Sequence, residues 1–477
     1  MKRIAIIGGG ISGLAAAYFL QEKAGSSLEI SLFEEKPRLG GVIETEIRDG
    51  VVLEGGPDCF LSEKPAACDL CKSVGLSNDL ISTRENHRRS FIYLKKKLIP
   101  VPAGFYLMAP RRLSPLMRTP LLSWRGKWRA AMDLLIPQKV PGSSETLRNL
   151  VPSGVDESIA SFIRRRLGRE VFERIGQPMV GGIYGGDPEK LSLQATLPQF
   201  KEMEQRYGSV IRGLKHEQNE AHESASGPRY SLFLSMRQGM EQMVRGLVKE
   251  LTGVKIYTAC PVKWIQPVEG KWELYTEDGR SFDFDAVLFA VPAYAAAKIL
   301  RSLSTALADE LDSITYESMA TVNLLYRKSD IPESFQGIGF VVPQIEKSHL
   351  AACTYSSLKF EGRSPEDYAL LRVFVGGALY PESFRLDDRA MEQMVKEELE
   401  GIVGIKARPL LVSIRRFPQS MPQYHVGHLE KVASIRALAS DSPGLFLTGN
   451  AFEGIGIPDC IQQAEARAQE ILAWLPS

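Results

Sequence analysis

A chain of 477 residues with 44% hydrophobic and 24% charged residues is long enough for two or three domains and can bury sizeable cores. Its 58 basic and 57 acidic residues leave a formal net charge of +1, which gives no general attraction for nucleic acid and argues against that class of partner. Six cysteines in so long a chain do not make a disulfide framework, and the most apolar segment, 286–300, contains Pro292 and Lys298 and falls short of the ~20 residues needed to cross a bilayer.

The first strand begins almost at residue 1, leaving no room for a secretory leader, so a cytoplasmic location is expected. Ile4-Ala5-Ile6-Ile7 runs into Gly8-Gly9-Gly10-Ile11-Ser12-Gly13 and then Leu14-Ala15-Ala16-Ala17-Tyr18-Phe19-Leu20, a strand, a tight turn and a helix. Gly8 permits the turn, Gly10 leaves the backbone bare for a pyrophosphate, and Gly13 lets helix and strand pack closely. Free amides at the helix start bind phosphate. A second strand, Glu29-Ile30-Ser31-Leu32-Phe33-Glu34, ends on an acid 21 residues after Gly13, with Glu35 beside it. That is close to the ~20-residue spacing of a carboxylate that takes ribose hydroxyls. A plain glycine-capped packing turn would leave strand, helix and acid unexplained, so dinucleotide binding is the expectation.

Pro37-Arg38-Leu39-Gly40-Gly41 follows at once and resembles the second motif of the FAD-containing amine-oxidase superfamily, with Val42 where an arginine is usual. Val51-Val52-Leu53-Glu54 then leads into Gly55-Gly56-Pro57-Asp58-Cys59, a turn whose glycines allow close approach to a ligand. Cys68-Asp69-Leu70-Cys71 is a CxxC, but no second CxxC or spaced histidine pair completes a metal site, and 65–74 reads as an amphipathic helix.

From 86 to 214 the pattern turns mainly helical after a hairpin near 90–100, as expected of an inserted domain. Within it, 121–136 mixes Trp124 and Trp128 with Arg125, Lys127 and Arg129, a composition that fits either an anionic membrane surface or a solvated helix packing on its neighbours. Arg164-Arg165-Arg166 lies opposite Ile159, Phe162, Ile163 and Leu167 and is expected to face solvent. Gly181-Gly182-Ile183-Tyr184-Gly185-Gly186 is too glycine-rich for a helix interior and suggests backbone passing close to a ligand. Polar 215–230 reads as a flexible linker.

The chain then returns to its first domain. A helix after Gly239, extended stretches at 254–257 and 259–262, a turn at Glu277-Asp278-Gly279-Arg280 and the apolar strand Ala286-Val287-Leu288-Phe289 close the dinucleotide sheet. Between 297 and 417 the pattern is β-rich, a candidate substrate-binding sheet, and a last strand, Leu445-Phe446-Leu447, enters the glycine-bearing 449–456 turn and a terminal helix. The expected architecture is α/β and α+β: a Rossmann-like domain built from 1–85, 231–296 and 418–477, a helical insertion, and a sheet domain.

Gly56-Pro57-Asp58-Cys59-Phe60-Leu61, Gly182-Ile183-Tyr184-Gly185-Gly186-Asp187 with Lys190-Leu191-Ser192, Ser420-Met421-Pro422-Gln423-Tyr424-His425-Val426-Gly427-His428 and Gly454-Ile455-Gly456-Ile457-Pro458-Asp459-Cys460 closely resemble the oxygen-dependent porphyrinogen oxidases of haem synthesis. The likeness is strongest to the Gram-positive type acting on coproporphyrinogen III or protoporphyrinogen IX, and it covers essentially the whole chain. It implies a non-covalent FAD held by Gly8, Gly9, Gly10, Ile11, Ser12, Gly13, Glu34, Glu35, Gly40, Gly41, Val42, Gly56, Pro57, Asp58, Cys59, the backbone of Val262, Phe417 near the isoalloxazine, and Gly449, Gly454, Ile455 and Gly456. It also implies a porphyrinogen and molecular oxygen as partners, with Lys64 as a cation for a propionate and Gly182 bringing bare backbone to the macrocycle. Neither a catalytic base nor a metal is called for, and His425 and His428 read as structural. Peripheral membrane contact and transient contact with the next enzyme of the haem pathway complete the expected partners. A flavin amine oxidase or carotenoid desaturase would share the cofactor motifs, and a non-catalytic flavoprotein is the binding-module alternative.

Overall fold

The structure, a computed structural model, describes residues 1–102, 104–111, 113–138, 156–216, 233–332 and 335–475. Its centre is a five-stranded parallel sheet in the order Val254–Tyr257, Leu28–Phe33, Lys2–Ile7, Ala286–Phe289, Leu445–Leu447. Strands from three distant parts of the chain thus form one sheet. Helices cover both faces, which is why Ile4, Ile6, Val287 and Leu288 are all fully buried and the strands read as continuous apolar runs. Helix Ile11–Ala24 lies between the sheet and the terminal helix Ile457–Trp474, and alanines 15–17 keep it thin enough to be enclosed all round. Gly13 has to be glycine, because a Cβ there would sit 1.9 Å from the Gly8 carbonyl oxygen. A small antiparallel sheet, Val262–Val268, Lys271–Thr276 and Ser281–Phe284, precedes the return strand.

The second large sheet has seven strands in the order Leu411–Pro422, Tyr316–Arg327, Tyr368–Gly376, Ala352–Tyr355, Gly339–Val341, Ser90–Leu94, Lys97–Pro100. The hairpin near 90–100, expected to belong with the helical insertion, is hydrogen-bonded into this sheet, with Ser90 to Ile92 running parallel to Gly339 to Val341. Its alternating side chains explain the dual allegiance: Ile92 and Leu94 enter the helical core while Phe91 and Tyr93 pack against the core of the sheet. Strand Leu411–Pro422 likewise runs through the expected domain edge at 417/418 without a break. Of the expected linker, residues 217–230 lie outside the described residues, and 215 and 216 are helical.

Two further expectations are corrected in the helical part. The glycine-rich stretch is a helix, Gln177–Tyr184, closed by Gly185 at φ +58°. Tertiary packing overrides propensity: Val180 is buried in the helical core, and at Gly182 a Cβ would only just touch Val341, so the missing side chains let the helix lie close on the sheet. The three arginines do not all face solvent. Arg166 is fully buried, its Nε 2.6 Å from Asp133 Oδ1 and its Nη2 2.7 Å from the Gly208 carbonyl, while Arg165 bridges Glu157 and Glu204. Asp133 also accepts from Ser209 Oγ and the Ile211 amide, so the pair fixes three segments together: the turn at Asp133, the helix Ile159–Arg166 and residues 208–211. Arg166→Leu strands this carboxylate and is expected to cost about 3–5 kcal/mol, read from the midpoint of equilibrium urea unfolding; a loss under about 1 kcal/mol would mean that the pair is not what holds the domain.

Candidate active site

The glycine turn after the first strand is held from behind. Gly8, at φ +112°, donates its amide to the Phe33 carbonyl, and Gly9 donates to Glu34 Oε2 at 2.7 Å. Glu34 Oε1 accepts from the Lys36 amide at 2.9 Å, so this carboxylate sits on the turn and keeps lone pairs free for further hydroxyl donors. Glu35 beside it is exposed. Gly40 donates to the Gly9 carbonyl at 2.8 Å, which brings Gly40 and Gly41 against Gly10. Arg38 secures that second turn by donating to the carbonyls of Leu39, Gly41 and Ile43, while Val42 is exposed. The sequence marked the missing arginine at 42; it did not reveal that Arg38 is the turn's clasp.

Two of the glycines expected to meet a cofactor, Gly10 and Gly449, stand open. Nothing lies within 4 Å of the position a Gly10 Cβ would take, and the one at Gly449 (φ +125°) meets only Ser12 Oγ at 4.0 Å. The last loop therefore approaches the start of the helix Ile11–Ala24 at Ser12, just after the first turn. By contrast Gly56 is a packing glycine, since its Cβ would fall 1.7 Å from the Val42 carbonyl oxygen. Val262 opens the small sheet, half-buried, just after the Cys260 amide bonds the Glu34 carbonyl. Gly454 (φ +89°), Ile455 and Gly456 lead into the last helix, and Asp459 caps it by accepting the Gly456 amide at 3.2 Å. Lys64 Nζ sits 2.5 Å from Asp459 Oδ1, so this cation is already paired beside the loop.

The Gly55 to Cys59 turn is gripped by the second sheet. Thr321 Oγ1 donates to the Gly55 carbonyl at 2.8 Å, Asn323 Nδ2 to the Glu54 carbonyl at 3.0 Å, and Arg372 to the carbonyls of Gly55 and Gly56. Phe417 lies over the same turn, its ring 3.5 Å from the β-position of Gly55. Asp58 accepts from Lys359 Nζ at 2.8 Å and lies 3.6 Å from Arg372. Burial works against the charge on Asp58, but Lys359 and Arg372 outweigh it and hold the carboxyl well below the usual carboxylate range. The Cys59 thiol, 3.2 Å from Lys359, is pushed up to about 12 by burial and by Asp58, which makes it an inert thiol. Lys359, Arg372, Thr321 and Asn323 escaped the sequence reading because they lie roughly 260 to 320 residues from the turn they serve. A signal was there: an arginine inside Leu370-Leu371-Arg372-Val373 and an asparagine inside Val322-Asn323-Leu324 are polar groups in buried strands, which need partners.

Gly182 lines a cleft between its helix and the seven-stranded sheet, together with Gly181, Gly185, Ala351 and Tyr380. Among the described residues no cluster of metal-ligating side chains occurs and no helix is long and apolar enough to cross a membrane.

A parallel sheet with a glycine turn, a helix behind it and an acid at the end of its second strand defines a dinucleotide-binding class of protein. The chain belongs to the flavin containing amine oxidoreductase family, which it matches over residues 11–472, and its cofactor is FAD. It is 35% identical to the coproporphyrinogen III oxidase of Bacillus subtilis, over 99% of this chain and 98% of that one. It is 33% identical to the Staphylococcus aureus enzyme of the same name, over 99% and 100%, and 31% identical to the chloroplastic protoporphyrinogen oxidase of Nicotiana tabacum, over 98% and 85%. A solved structure from Exiguobacterium sp. 255-15, provisionally named a protoporphyrinogen oxidase, superposes with a TM-score of 0.85 at 31% identity, covering 99% of both chains. Putrescine oxidase, at 17% identity and a TM-score of 0.68, shares the fold.

Two outcomes follow from this geometry. Because the space over Gly10 is open in the protein itself, Gly10→Val should leave the apoprotein's melting temperature unchanged yet abolish the oxidised-flavin absorption of the purified protein; stoichiometric FAD in the variant would remove Gly10 from the pyrophosphate path. Lys359→Met leaves Asp58 enclosed with the more distant Arg372 as its remaining cation and the Cys59 thiol as a donor, and should cost roughly 3 kcal/mol at pH 8. In the wild type the Asp58 carboxyl is depressed, so its contribution is present above the unfolded carboxylate pKa and is lost as pH falls through the folded value. In the variant the Lys359 share of that depression is lost while Arg372 and the Cys59 thiol remain, so the carboxyl rises from its wild-type position and the deficit should shrink as pH falls through the variant's own folded value, as urea unfolding from pH 8 downward would register.

Proposed function

We propose that the protein oxidises coproporphyrinogen III to coproporphyrin III in haem biosynthesis. The observation that carries this reading is the near-full-length likeness to coproporphyrinogen III oxidases of Gram-positive bacteria. FAD supplies a two-electron hydride acceptor that oxygen regenerates with release of hydrogen peroxide, so a six-electron oxidation takes three rounds. The chain's own residues bind and orient: the bare backbone of Gly10 and Gly449 makes room for the cofactor, Phe417 and the Gly55-Gly56 turn shape the reacting end, and Gly182 offers a side-chain-free wall to the macrocycle. No side chain is assigned to take a proton, since the remaining protons leave by imine–enamine tautomerisation. An amine oxidase would leave the segment from Pro422 to His428 without a role, and protoporphyrinogen IX, with two propionates in place of four, is the alternative substrate.

The same reading places the protein in the cytoplasm with peripheral membrane contact. What supports it is the helix Trp124–Ala131 and the turn after it, where Trp124, Trp128, Met132 and Leu135 are all exposed, as is Arg125 on the same helix. Transient contact with the enzyme that takes the porphyrin next is part of the proposal.

Lys64 is proposed to meet a substrate carboxylate, which would join its existing pair with Asp459. An exposed pair contributes about 0–1 kcal/mol, so Lys64→Ala should lower kcat/KM for coproporphyrinogen by no more than about fivefold and alter protoporphyrinogen turnover less. The deciding measurement is turnover of both porphyrinogens by wild type and Lys64→Ala with oxygen uptake recorded. Three oxygen molecules consumed per porphyrin and a preference for coproporphyrinogen are expected. A ratio near one, or equal efficiency with both compounds, would refute the reading.

A further inference from the structure

The segment from Pro422 to His428 is hydrogen-bonded on one side to the loop after the last strand and on the other to residues 184–192. On one side Tyr424 Oη donates to the Asn450 carbonyl at 2.6 Å, and His428 Nε2 lies 3.1 Å from the Phe452 carbonyl. A carbonyl only accepts, so His428 carries its proton on Nε2. The two rings are stacked, centroids 3.9 Å apart and planes 13° from parallel, and both are buried. On the other side the Ser192 amide donates to the Tyr424 carbonyl at 2.7 Å, the Val426 amide to the Lys190 carbonyl at 2.9 Å, and Gln423 Nε2 to the Tyr184 carbonyl at 3.3 Å. Seven residues thus connect the loop from Gly449 to Gly454 with the end of the helix that carries Gly182.

The loop needs such a restraint. It is bounded by two glycines with positive φ, Gly449 at +125° and Gly454 at +89°, so both ends have the conformational freedom that side-chain-bearing residues lack. Two carbonyls between these pivots are captured by rigid rings that are themselves stacked, and Gln463 Nε2 takes the Glu453 carbonyl at 2.6 Å. Fixing the carbonyls fixes the peptide planes, and with them the face the loop turns to the cofactor. Burial pushes His428 down to about 4, so it stays neutral with its single N–H committed to Phe452.

We propose that Tyr424 and His428 are positioning residues for FAD, a stacked pair that sets the Gly449 to Gly454 loop and locks it to the wall bearing Gly182. The inference rests on FAD as cofactor and is independent of which compound is oxidised. The three variants to compare are Tyr424→Phe, which loses only the hydroxyl, His428→Phe, which keeps the stack but loses the donor, and His428→Gln, which retains a donor near the Nε2 position. Apoprotein of each is titrated with FAD by flavin fluorescence quenching, and its melting temperature is measured without FAD. Tyr424→Phe and His428→Phe should each raise the FAD dissociation constant roughly tenfold, the fold-change expected of one lost buried hydrogen bond, and His428→Gln should recover most of it. A lower apoprotein melting temperature with unchanged FAD affinity would reduce the pair to ordinary packing and overturn the proposal, as would no change in either quantity. Should His428→Phe fail to accumulate, Tyr424→Phe decides alone.

Discussion

The site depends on one joint: the carbonyls of Glu54, Gly55 and Gly56, which belong to the dinucleotide half, are held by Asn323, Thr321 and Arg372, which belong to the seven-stranded sheet. Arg372 is 3% exposed, so its guanidinium is removed from water, and hydrogen bonds and nearby charge have to compensate. The two carbonyls and Asp58 supply part of that compensation through the terminal nitrogens, while Arg372 Nε and Asn323 Oδ1 are buried without a hydrogen-bond partner; Asp58 is shared with Lys359, so these contacts form only when the two halves are docked. Glu54 extends the same logic, its carboxyl raised by burial yet tied to Thr45 Oγ1, the Met240 amide and, at 3.9 Å, Arg363. A buried network of this kind is weak evidence for added stability, because desolvation offsets most of the attraction. What it does supply is a single relative placement of the Glu54 to Gly56 turn and the seven-stranded sheet, since any other docking would leave charges buried without partners.

The dinucleotide half was legible in the sequence because its signals are local. Gly8 to Gly13, Glu34 and the Gly40-Gly41 pair act within forty residues of one another, and the turn, helix and acid fall where the spacing predicts. The second sheet was legible as strands but not as a site. Its contributions come from single polar side chains in apolar runs, and a sequence does not say which distant carbonyl such a residue will meet. The helical insertion misled in two ways, both physical. Arg164-Arg165-Arg166 looks like a solvated face until Asp133 and Glu204 arrive from other helices and Glu157 from just ahead of the arginines' own, and Gly181-Gly182 looks like a helix breaker until a sheet is placed against it. The 90–100 hairpin was recognised as a hairpin; its partner strand, roughly 250 residues later, was not foreseeable from either segment.

The distribution of charge in the site also bears on how substrates are told apart. Lys359 is compensated by Asp58 and Lys64 by Asp459, so neither is a bare cation waiting for a carboxylate. Under the proposed reading, a propionate at Lys64 shares an ammonium with Asp459 and gains little from direct pairing, while a carboxylate pressed into the apolar cleft by Gly182 would lose its water without recompense. Discrimination between four propionates and two propionates with two vinyls would then come chiefly from which edge of the macrocycle remains in water and which is enclosed. Shape and desolvation, set by a wall of glycine backbone and the strap that ties it to the flavin loop, become the specificity device, with the paired cations as a secondary influence.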